Sequence, residues 1–507
     1  MNIALLLEMA AEGAPDRVLV GSTETGLTAA DLLTRSRRAA EQFGAMGVER
    51  VGVVDLNSEA VPLALFGAAI AGIPFAPVNY RLPDDQLRAL VSRLAPGVVI
   101  TGPDTGPRVT GINGVQRLLR DAFLDAVAAP PSDSSSDTVP PFVDPDDIAV
   151  LLFTSGTTGD PKTAVLRHRH LTSYVFTTVE CLGAGEDEAQ LVSVPPYHVA
   201  GLASVLTSVY AGRRIVYLPA FDAEIWVATA QTENITQAMV VPTMLRRIVD
   251  VIEEQGVTLP NLRLLSYGGG HTPLDLIERA MKVLADVDFV NAYGLTETSS
   301  TIAVLSPDDH RAAFASTDPD QRKRLGSAGR PLPTVELEIR GPDSAEALPT
   351  GERGEIYVRG EQIAGEYLGR SLLVDGGWFP TNDAGYLDAD GFLFLDGRLD
   401  DVIVRGGENL SPGEIEETLL SHPAVAEAAV VGVPDPEWGE GVGAVVVLRP
   451  GATATAGELQ AWVRERLRST KAPQVVEFRD ALPYTETGKL LRRVLRQQLR
   501  ATDAISS

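Results

Sequence analysis

The sequence contains little cysteine and few aromatic residues, and it lacks an excess of basic residues. A single cysteine, Cys181, cannot form an intrachain disulfide, which excludes a disulfide scaffold and gives no indication of an oxidising compartment. The chain has 43 Lys and Arg against 68 Asp and Glu, and its net charge of −25 opposes binding to nucleic acid or to anionic lipid. We therefore expect a cytoplasmic protein without a nucleic-acid partner.

Signals for membrane insertion are also lacking. Residues 1–7 lack the basic n-region of a signal peptide, and Glu8 and Glu12 interrupt the apolar run, so this stretch is typical of an amphipathic first helix. Residues 60–78 carry no charge and could span a bilayer by length alone. Because Pro74 and Pro77 interrupt that stretch, we expect a buried helix followed by a short strand, and no transmembrane span.

Short apolar runs alternate with longer segments of helical periodicity along most of the chain. This alternation is typical of an α/β fold with largely parallel sheets. A length of 507 residues predicts two to four domains with ample buried core. The predicted strands cover residues 51–56, 97–100, 148–153, 214–218 and 262–266.

Three changes in composition suggest how the chain is organised. Residues 128–147 are rich in Pro, Ser and Asp, and they predict a surface loop that separates two α/β subdomains. From about residue 335 the pattern favours strands, including 355–359 and 391–395, which predicts a β-barrel-like subdomain. After residue 400 a strand and helix alternation predicts a small α+β domain. We thus expect a large multi-layer N-terminal domain followed by a smaller C-terminal one.

The strongest local motif follows the predicted strand 148–153. Its hydroxyl groups, glycines and lysine form a loop suited to holding a polyphosphate, since glycine permits close backbone approach. The spacing of its glycines differs from that of a P-loop. The loop consists of Thr154, Ser155, Gly156, Thr157, Thr158, Gly159, Asp160, Pro161 and Lys162.

Seven motifs in chain order carry a resemblance to a known family. They occupy residues 154–162, 195–198, 291–297, 378–383, 397–401, 406–409 and 485–489. Over nearly the whole chain they resemble the adenylate-forming superfamily, which comprises acyl-CoA synthetases, firefly luciferase and peptide-synthetase adenylation domains. The resemblance implies that a carboxylate attacks the α-phosphate of ATP to give an acyl-adenylate and pyrophosphate. The acyl group then passes to the thiol of coenzyme A, and Mg²⁺ neutralises phosphate charge.

The same resemblance assigns residues to ATP and to the metal ion. Thr296 would reach the α-phosphate, Glu297 and Thr154 would bind Mg²⁺, and Lys489 would be the catalytic cation. Tyr293 offers a flat face for adenine, whereas Asp383 and Arg398 would hold the ribose hydroxyls. Beyond the phosphate loop, the predicted ATP-binding residues are Gly269, Gly270, Asn291, Tyr293, Gly294, Thr296, Asp383, Arg398 and Lys489.

The resemblance also implies which residues bind the acid, which contact the thiol substrate and which form the hinge for domain movement. The predicted acyl pocket is formed by His198, Gly268, Gly269 and Ala292, although a hydrogen-bonded core histidine is an alternative for His198. Coenzyme A would contact Gly406 and Gly407, and Asp400 would be the hinge residue. The implied division of the chain is an N-terminal ATP- and acyl-binding domain (1–397), a hinge (398–401) and a mobile C-terminal domain (402–507).

Two departures from the family pattern keep alternatives open. Relatives usually carry glycine at the positions of Thr163 and Asn382, and both changes add bulk near ATP, although asparagine tolerates a left-handed backbone. A catalytically impaired nucleotide-binding relative is therefore one alternative. An enzyme that loads a separate carrier protein is another, but residues 406–416 resemble the acyl-CoA ligase branch and no carrier-like domain follows Lys489. The motifs do not fix the acid, and they are compatible with a homo-oligomer.

Overall fold

The computed structural model describes residues 1–129, 142–154, 161–341, 346–406, 408–484 and 490–506. Within these ranges, none of the helices combines the length and the apolar character that crossing a membrane requires. The α-helices are α1 (Ala4–Gly13), α2 (Ala29–Met46), α3 (Ala60–Ala71), α4 (Asp84–Ser92), α5 (Arg120–Ala128), α6 (His168–Thr178), α7 (Val199–Ala211), α8 (Ala223–Thr232), α9 (Pro242–Gln255), α10 (Leu274–Val283), α11 (Pro307–Ala315), α12 (Pro319–Arg322), α13 (Pro412–Leu420), α14 (Ala456–Arg466) and α15 (Arg492–Ser506). Short 3₁₀ segments occupy Gly106–Val109, Thr296–Thr298, Lys323–Gly326, Asp375–Gly377, Leu399–Asp401 and Ser469–Lys471.

The strands are mostly short. They are β1 (Val18–Val20), β2 (Leu27–Thr28), β3 (Arg50–Val54), β4 (Phe75–Pro77), β5 (Gly97–Thr101), β6 (Val115–Leu119), β7 (Ile148–Thr154), β8 (Lys162–Arg167), β9 (Ala189–Val192), β10 (Arg214–Tyr217), β11 (Gln237–Val240), β12 (Leu264–Gly268), β13 (Asp288–Leu295), β14 (Ser300–Leu305), β15 (Arg330–Pro331), β16 (Glu336–Arg340), β17 (Gly354–Arg359), β18 (Glu366–Tyr367), β19 (Arg370–Ser371), β20 (Phe379–Leu387), β21 (Leu393–Arg398), β22 (Ile403–Arg405), β23 (Glu408–Leu410), β24 (Val425–Asp435), β25 (Gly439–Leu448) and β26 (Val475–Phe478).

Two large sheets form the bulk of the N-terminal part. Sheet I has the strand order β19-β18-β8-β7-β4-β3-β5-β6, and sheet II has the order β15-β14-β13-β12-β11-β9-β10-β1-β2. The central pairs of both sheets are parallel, whereas β7 pairs with β8 and β13 pairs with β14 in antiparallel fashion. Parallel strands require helices on their faces, which explains why the predicted strands are continuous apolar runs. The predicted α/β class is confirmed.

The uncharged stretch 60–78 folds as the sequence predicts. It forms α3, in which residues 60–70 are all buried, and then the short strand β4. A helix that is apolar on every face belongs in the interior of a large domain. Gly72 ends the helix in a left-handed conformation, with a φ of 67°, which a residue with a side chain adopts at a cost.

Two details of the predicted organisation are wrong. The strand-rich region after residue 335 forms sheet III, an open four-stranded antiparallel sheet in the order β16-β17-β20-β21, and its described strands do not close into a barrel. The segment 128–147 does not separate subdomains, because β6 before it and β7 after it belong to the same sheet I. Both errors arise because strand pairing between distant segments is not visible in local composition.

The C-terminal part forms its own sheet and core. Sheet IV has the order β23-β22-β25-β24, with β26 paired to β25, and α13 and α14 pack on it. The core includes Ile415, Val430 and Val463, which are fully buried. Contacts with the N-terminal part include the Ser411 hydroxyl, which donates to the Asp396 carbonyl oxygen at 3.0 Å.

Candidate active site

The phosphate loop begins and ends on paired strands of sheet I. Thr154 is the last residue of β7 and Lys162 is the first residue of β8, and the two are directly opposite each other in the ladder. The burial of β7 places Thr154 at the end of a rigid central strand. The predicted loop residues Ser155, Gly156, Thr157, Thr158 and Gly159 lie outside the described residues.

Glu297 lies close to these two residues, on the turn that follows β13. Its side chain accepts a hydrogen bond at Oε1 from the Tyr367 hydroxyl at 2.6 Å, and the residue is only 9% exposed. In the part of the chain that the structure describes, no Lys, Arg or His forms an ion pair with it. A buried carboxylate without a basic partner fits a hard divalent cation such as Mg²⁺, which prefers oxygen ligands. Thr296 precedes it in the same turn and is partly buried.

The backbone around Glu297 is held in an unusual conformation. Ser299 has a φ of 57° and Ser300 a φ of 111°, values that residues with side chains rarely adopt. The Thr298 hydroxyl donates to the Ser300 carbonyl oxygen at 2.7 Å and accepts from the Leu295 backbone N–H at 2.9 Å. These bonds fix the turn that presents Glu297.

Asp383 and Arg398 lie opposite each other on β20 and β21. The Arg398 Nε atom is 2.9 Å from Asp383 Oδ1, and the Tyr293 hydroxyl donates to Asp383 Oδ2 at 2.6 Å. Burial, followed by the nearby Asp383 carboxylate, raises the pKa of Tyr293 well above its usual value, so the phenol stays protonated as a donor. The three predicted adenine- and ribose-binding residues therefore form one connected group.

The predicted acyl residues lie at the carboxyl ends of neighbouring strands in sheet II. Gly268 ends β12 opposite Ala292 of β13, and a Cβ atom on Gly268 would be 2.2 Å from the Ala292 carbonyl oxygen. Gly269 has a φ of +78°, and a Cβ atom there would meet only Val241, at 3.7 Å. Gly269 and the adjacent Gly270 are exposed. Gly268 therefore permits close packing of β12 on β13, whereas Gly269 leaves open space at this end of the sheet, where ligands bind in open α/β sheets.

His198 caps the start of α7 beside this edge of the sheet. Its ring centroid is 4.7 Å from that of Tyr197, and its Nε2 atom is buried without a hydrogen-bond partner among the described residues. Burial, reinforced by the positive charge of Arg81, lowers the pKa of His198 to about 4. The ring is therefore neutral at pH 7, and the expectation of a fully hydrogen-bonded core histidine does not fit it.

Two predicted ATP-binding residues also have structural roles. The Asn291 side-chain amide donates to the Ser327 carbonyl oxygen at 2.8 Å, which ties β13 to the segment before β15. A Cβ atom on Gly294 would be 1.9 Å from the Ser300 carbonyl oxygen. Close packing of β13 against β14 therefore explains the glycine at position 294.

We expect Gly294→Ala to lower the thermal midpoint of unfolding by several degrees, because the added methyl group would overlap backbone that cannot shift freely. Overpacking of this kind costs about 1–3 kcal/mol. The matched control is Gly44→Ala in α2, where nothing lies within 4 Å and the helix gains stability from alanine, about 0.5–1 kcal/mol. Scanning calorimetry of both variants checks this, and an unchanged midpoint for Gly294→Ala would contradict it.

The predicted hinge residue Asp400 lies between sheets III and IV, and the predicted coenzyme A residue Gly406 lies within sheet IV, after β22. Asp400 is exposed in the 3₁₀ segment between β21 and β22, and its Oδ2 accepts from the Asn382 side-chain amide at 3.0 Å. Asn382 has a φ of 61°, so this asparagine adopts the left-handed backbone that its side chain tolerates. Gly406 has a φ of 58° at the end of β22, beside the exposed Trp438 ring. Gly407 and Lys489 lie outside the described residues.

A cleft of about 220 Å³ opens near the carboxyl ends of β9, β10 and β11. Two arginines line it, each placed over an aromatic ring: Arg81 over Tyr80 at 5.4 Å and Arg247 over Phe221 at 5.2 Å. Aromatic faces hold guanidinium groups in fixed orientations. The cleft can therefore receive an anionic group.

Sequence reasoning missed Tyr367 and these two arginines. Tyr367 lies on a two-residue strand and belongs to none of the seven motifs, so its contact with Glu297, 70 residues away in sequence, has no local signal. Arg81 and Arg247 come from segments that meet only in the folded chain.

The AMP-binding enzyme model matches residues 7–368, and the AMP-binding enzyme C-terminal domain model matches residues 414–489. The chain belongs to the AMP-binding enzyme family. Among its relatives, a feruloyl-CoA synthase of an Amycolatopsis species is 35% identical over 493 residues, covering 96% of both chains. An indoleacetate–CoA ligase of Aromatoleum aromaticum is 33% identical, covering 95% of both. The solved o-succinylbenzoate CoA synthetase of Bacillus subtilis, in complex with its acyl-adenylate intermediate, has a TM-score of 0.82 at 29% identity and covers 97% of both chains.

Membership in the AMP-binding family confirms the activity and cofactors that the motifs imply. The protein is an AMP-forming acid–thiol ligase, which activates a carboxylic acid to an acyl-adenylate and transfers the acyl group to coenzyme A. Its cofactors and co-substrates are ATP, Mg²⁺ and coenzyme A. The two alternatives, a carrier-protein loader and an impaired nucleotide-binding relative, are not favoured by the relatives.

Proposed function

We propose that this ligase activates an aromatic or similarly bulky acid with one carboxylate. The observation that carries the proposal is the open space beside Gly269 at the end of β12, where a Cβ atom would meet only Val241 at 3.7 Å, next to the uncharged end of β13 at Ala292. A ring can lie against glycine backbone without steric overlap. The named relatives act on feruloyl, indoleacetate and succinylbenzoate groups, which all contain a ring, and the acids of the first two carry a single carboxylate.

We also propose the division of labour within the site. Thr154, Lys162 and the loop between them would hold the β- and γ-phosphates, Glu297 would hold Mg²⁺, and Asp383 with Arg398 would hold the ribose. Support comes from Tyr367, which contacts both Glu297 and Lys162. Further support comes from the Arg398–Asp383 ion pair and from the absence, among the described residues, of a basic partner for Glu297. Bound Mg²⁺ would supply charge neutralisation at the phosphate oxygens.

We further propose that the C-terminal domain moves relative to the N-terminal domain between the two half-reactions. The N-terminal domain would comprise residues 1–397 and the C-terminal domain residues 402–507, joined at a hinge around Asp400. The support is that β21 ends sheet III at Arg398 and β22 begins sheet IV at Ile403, with only a single 3₁₀ turn between them. In one orientation Lys489 would serve adenylation, and in the other Gly406 and Gly407 would face the thiol.

Coenzyme A as the thiol has separate support from the arginine-lined cleft. Arg81 and Arg247 could bind phosphate groups of coenzyme A, since guanidinium matches phosphate geometry.

The proposed acid class is tested with a pyrophosphate-release screen over ferulate, indoleacetate, benzoate, octanoate and malonate, run with and without coenzyme A. Ring-bearing acids are expected to give the highest rates. A preference for octanoate over every ring-bearing acid would contradict the proposed acid class.

We expect malonate to be a poor acid in that screen, with kcat/KM at least about 100-fold below that of the best ring-bearing acid. Its second carboxylate would lie in the space beside Gly269 and Ala292, which offer no cation, and an uncompensated buried charge costs several kcal/mol. Monomethyl malonate, which has the same backbone and one charge less, is the matched control and is expected to be the better of the two. If malonate is preferred, another cation must reach the pocket and the inference fails.

A further inference from the structure

Tyr367 joins three residues of the proposed ATP and metal site. Its hydroxyl donates to Glu297 Oε1 at 2.6 Å, and the Thr154 side chain lies close to the same phenol. The Lys162 Nζ atom lies 5.2 Å from the centroid of its ring, within the range of a cation–π contact. One side chain therefore contacts the strand end, the loop lysine and the carboxylate at once.

The segment around Tyr367 is anchored on both sides of these contacts. The Gly365 backbone N–H donates to the Glu297 carbonyl oxygen at 2.9 Å, and the Leu368 backbone N–H donates to the Thr163 carbonyl oxygen at 2.9 Å. The Glu366 carboxylate pairs with Arg167 of β8 at 2.8 Å. These bonds fix the ring of Tyr367 relative to both β8 and the Glu297 turn.

We propose that Tyr367 is a positioning residue for adenylation, in which the hydroxyl orients the Glu297 carboxylate for Mg²⁺ and the ring holds Lys162 for the phosphates. The inference rests on the proposed assignment of Glu297 as the metal ligand. A carboxylate that accepts one hydrogen bond at Oε1 has a fixed plane, and Oε2 then points in a defined direction for a cation. Without the Tyr367 hydroxyl, the Glu297 carboxylate can rotate. The metal ion must then fix its orientation on binding, which lowers the affinity for the metal.

The direct test is Mn²⁺ binding, as a spectroscopic probe for Mg²⁺, to the full-length protein saturated with α,β-methylene-ATP, a non-hydrolysable analogue. Tyr367→Phe removes only the hydroxyl and keeps the ring over Lys162. We expect its Mn²⁺ dissociation constant, measured by electron paramagnetic resonance, to rise about tenfold, in line with the loss of one hydrogen bond to a charged group. Tyr174→Phe, at a buried core position of α6, is the matched control and is expected to bind as the wild type does.

A second readout separates positioning from folding. In Tyr367→Phe the Mg²⁺ concentration for half-maximal pyrophosphate release should rise by the same factor, whereas transfer from supplied acyl-adenylate to coenzyme A and the thermal midpoint should stay at wild-type values. A Mn²⁺ dissociation constant within twofold of wild type overturns the role of Tyr367 alone. A loss that appears only together with a lowered thermal midpoint also overturns it. Failure of the wild type to bind Mn²⁺ overturns the metal site itself.

Discussion

We expect Lys489→Ala to reduce the rate of acyl-adenylate formation by a factor on the order of 10²–10³, while transfer from a supplied acyl-adenylate to coenzyme A stays within a few-fold of wild type. A preorganised positive charge stabilises the negative charge that develops in the transition state, and removing such a group typically lowers the rate by this factor. The loss falls on one half-reaction because the proposed domain rotation removes Lys489 from the site before the thiol enters.

Separate assays of the two half-reactions measure this effect. Pyrophosphate exchange reports adenylation, and thioester formation from synthetic acyl-adenylate reports transfer. Lys282→Ala, which removes an exposed lysine at the end of α10, is the matched control and should leave both rates unchanged. Equal losses in the two assays for Lys489→Ala would refute its assignment to adenylation.

The second large effect is expected for Asp400→Pro. We expect thioester formation from acid, ATP and coenzyme A to fall by more than 100-fold, while pyrophosphate exchange survives within about tenfold. Proline fixes φ near −65° and restricts the residue before it, so the segment between β21 and β22 can no longer change conformation. A protein held in one orientation serves one half-reaction, and we expect the adenylating orientation to be retained.

Two control variants separate the backbone effect from the side-chain contact. Asp400→Ala removes the hydrogen bond from the Asn382 amide without locking the backbone, and Asn382→Gly removes the same bond from the other side. Both should retain thioester formation within a few-fold of wild type. If Asp400→Pro folds and forms thioester at the wild-type rate, Asp400 is not the hinge.

The elements that carry the site could be predicted from sequence because their burial leaves a strong pattern. β7 is a continuous apolar run since it lies between β4 and β8 with both faces covered, and Thr154 follows at its end. Strand β12 could be placed in the same way, although it ends at Gly268, two residues later than predicted. The local sequence pattern is therefore sufficient to predict a strand when the strand is buried on both faces and all of its residues are apolar.

The remaining features depend on contacts between segments far apart in the chain. Tyr367 reaches Glu297 across 70 residues, and Asn382 reaches Asp400 across 18. The sequence predicted that Asn382 could adopt a left-handed backbone, which its φ of 61° confirms, but not that its amide would bond to the predicted hinge. These side-chain contacts depend on how distant strands pair and in which register, and the local sequence pattern does not predict either.

The most direct test of the account is a product measurement with the purified protein, ATP, Mg²⁺, coenzyme A and a ring-bearing acid such as ferulate. We predict that AMP, pyrophosphate and the CoA thioester appear in equal amounts, and that omission of coenzyme A leaves enzyme-bound acyl-adenylate at no more than one per chain. Formation of ADP in place of AMP, or accumulation of acyl-adenylate without thioester when coenzyme A is present, would contradict the account.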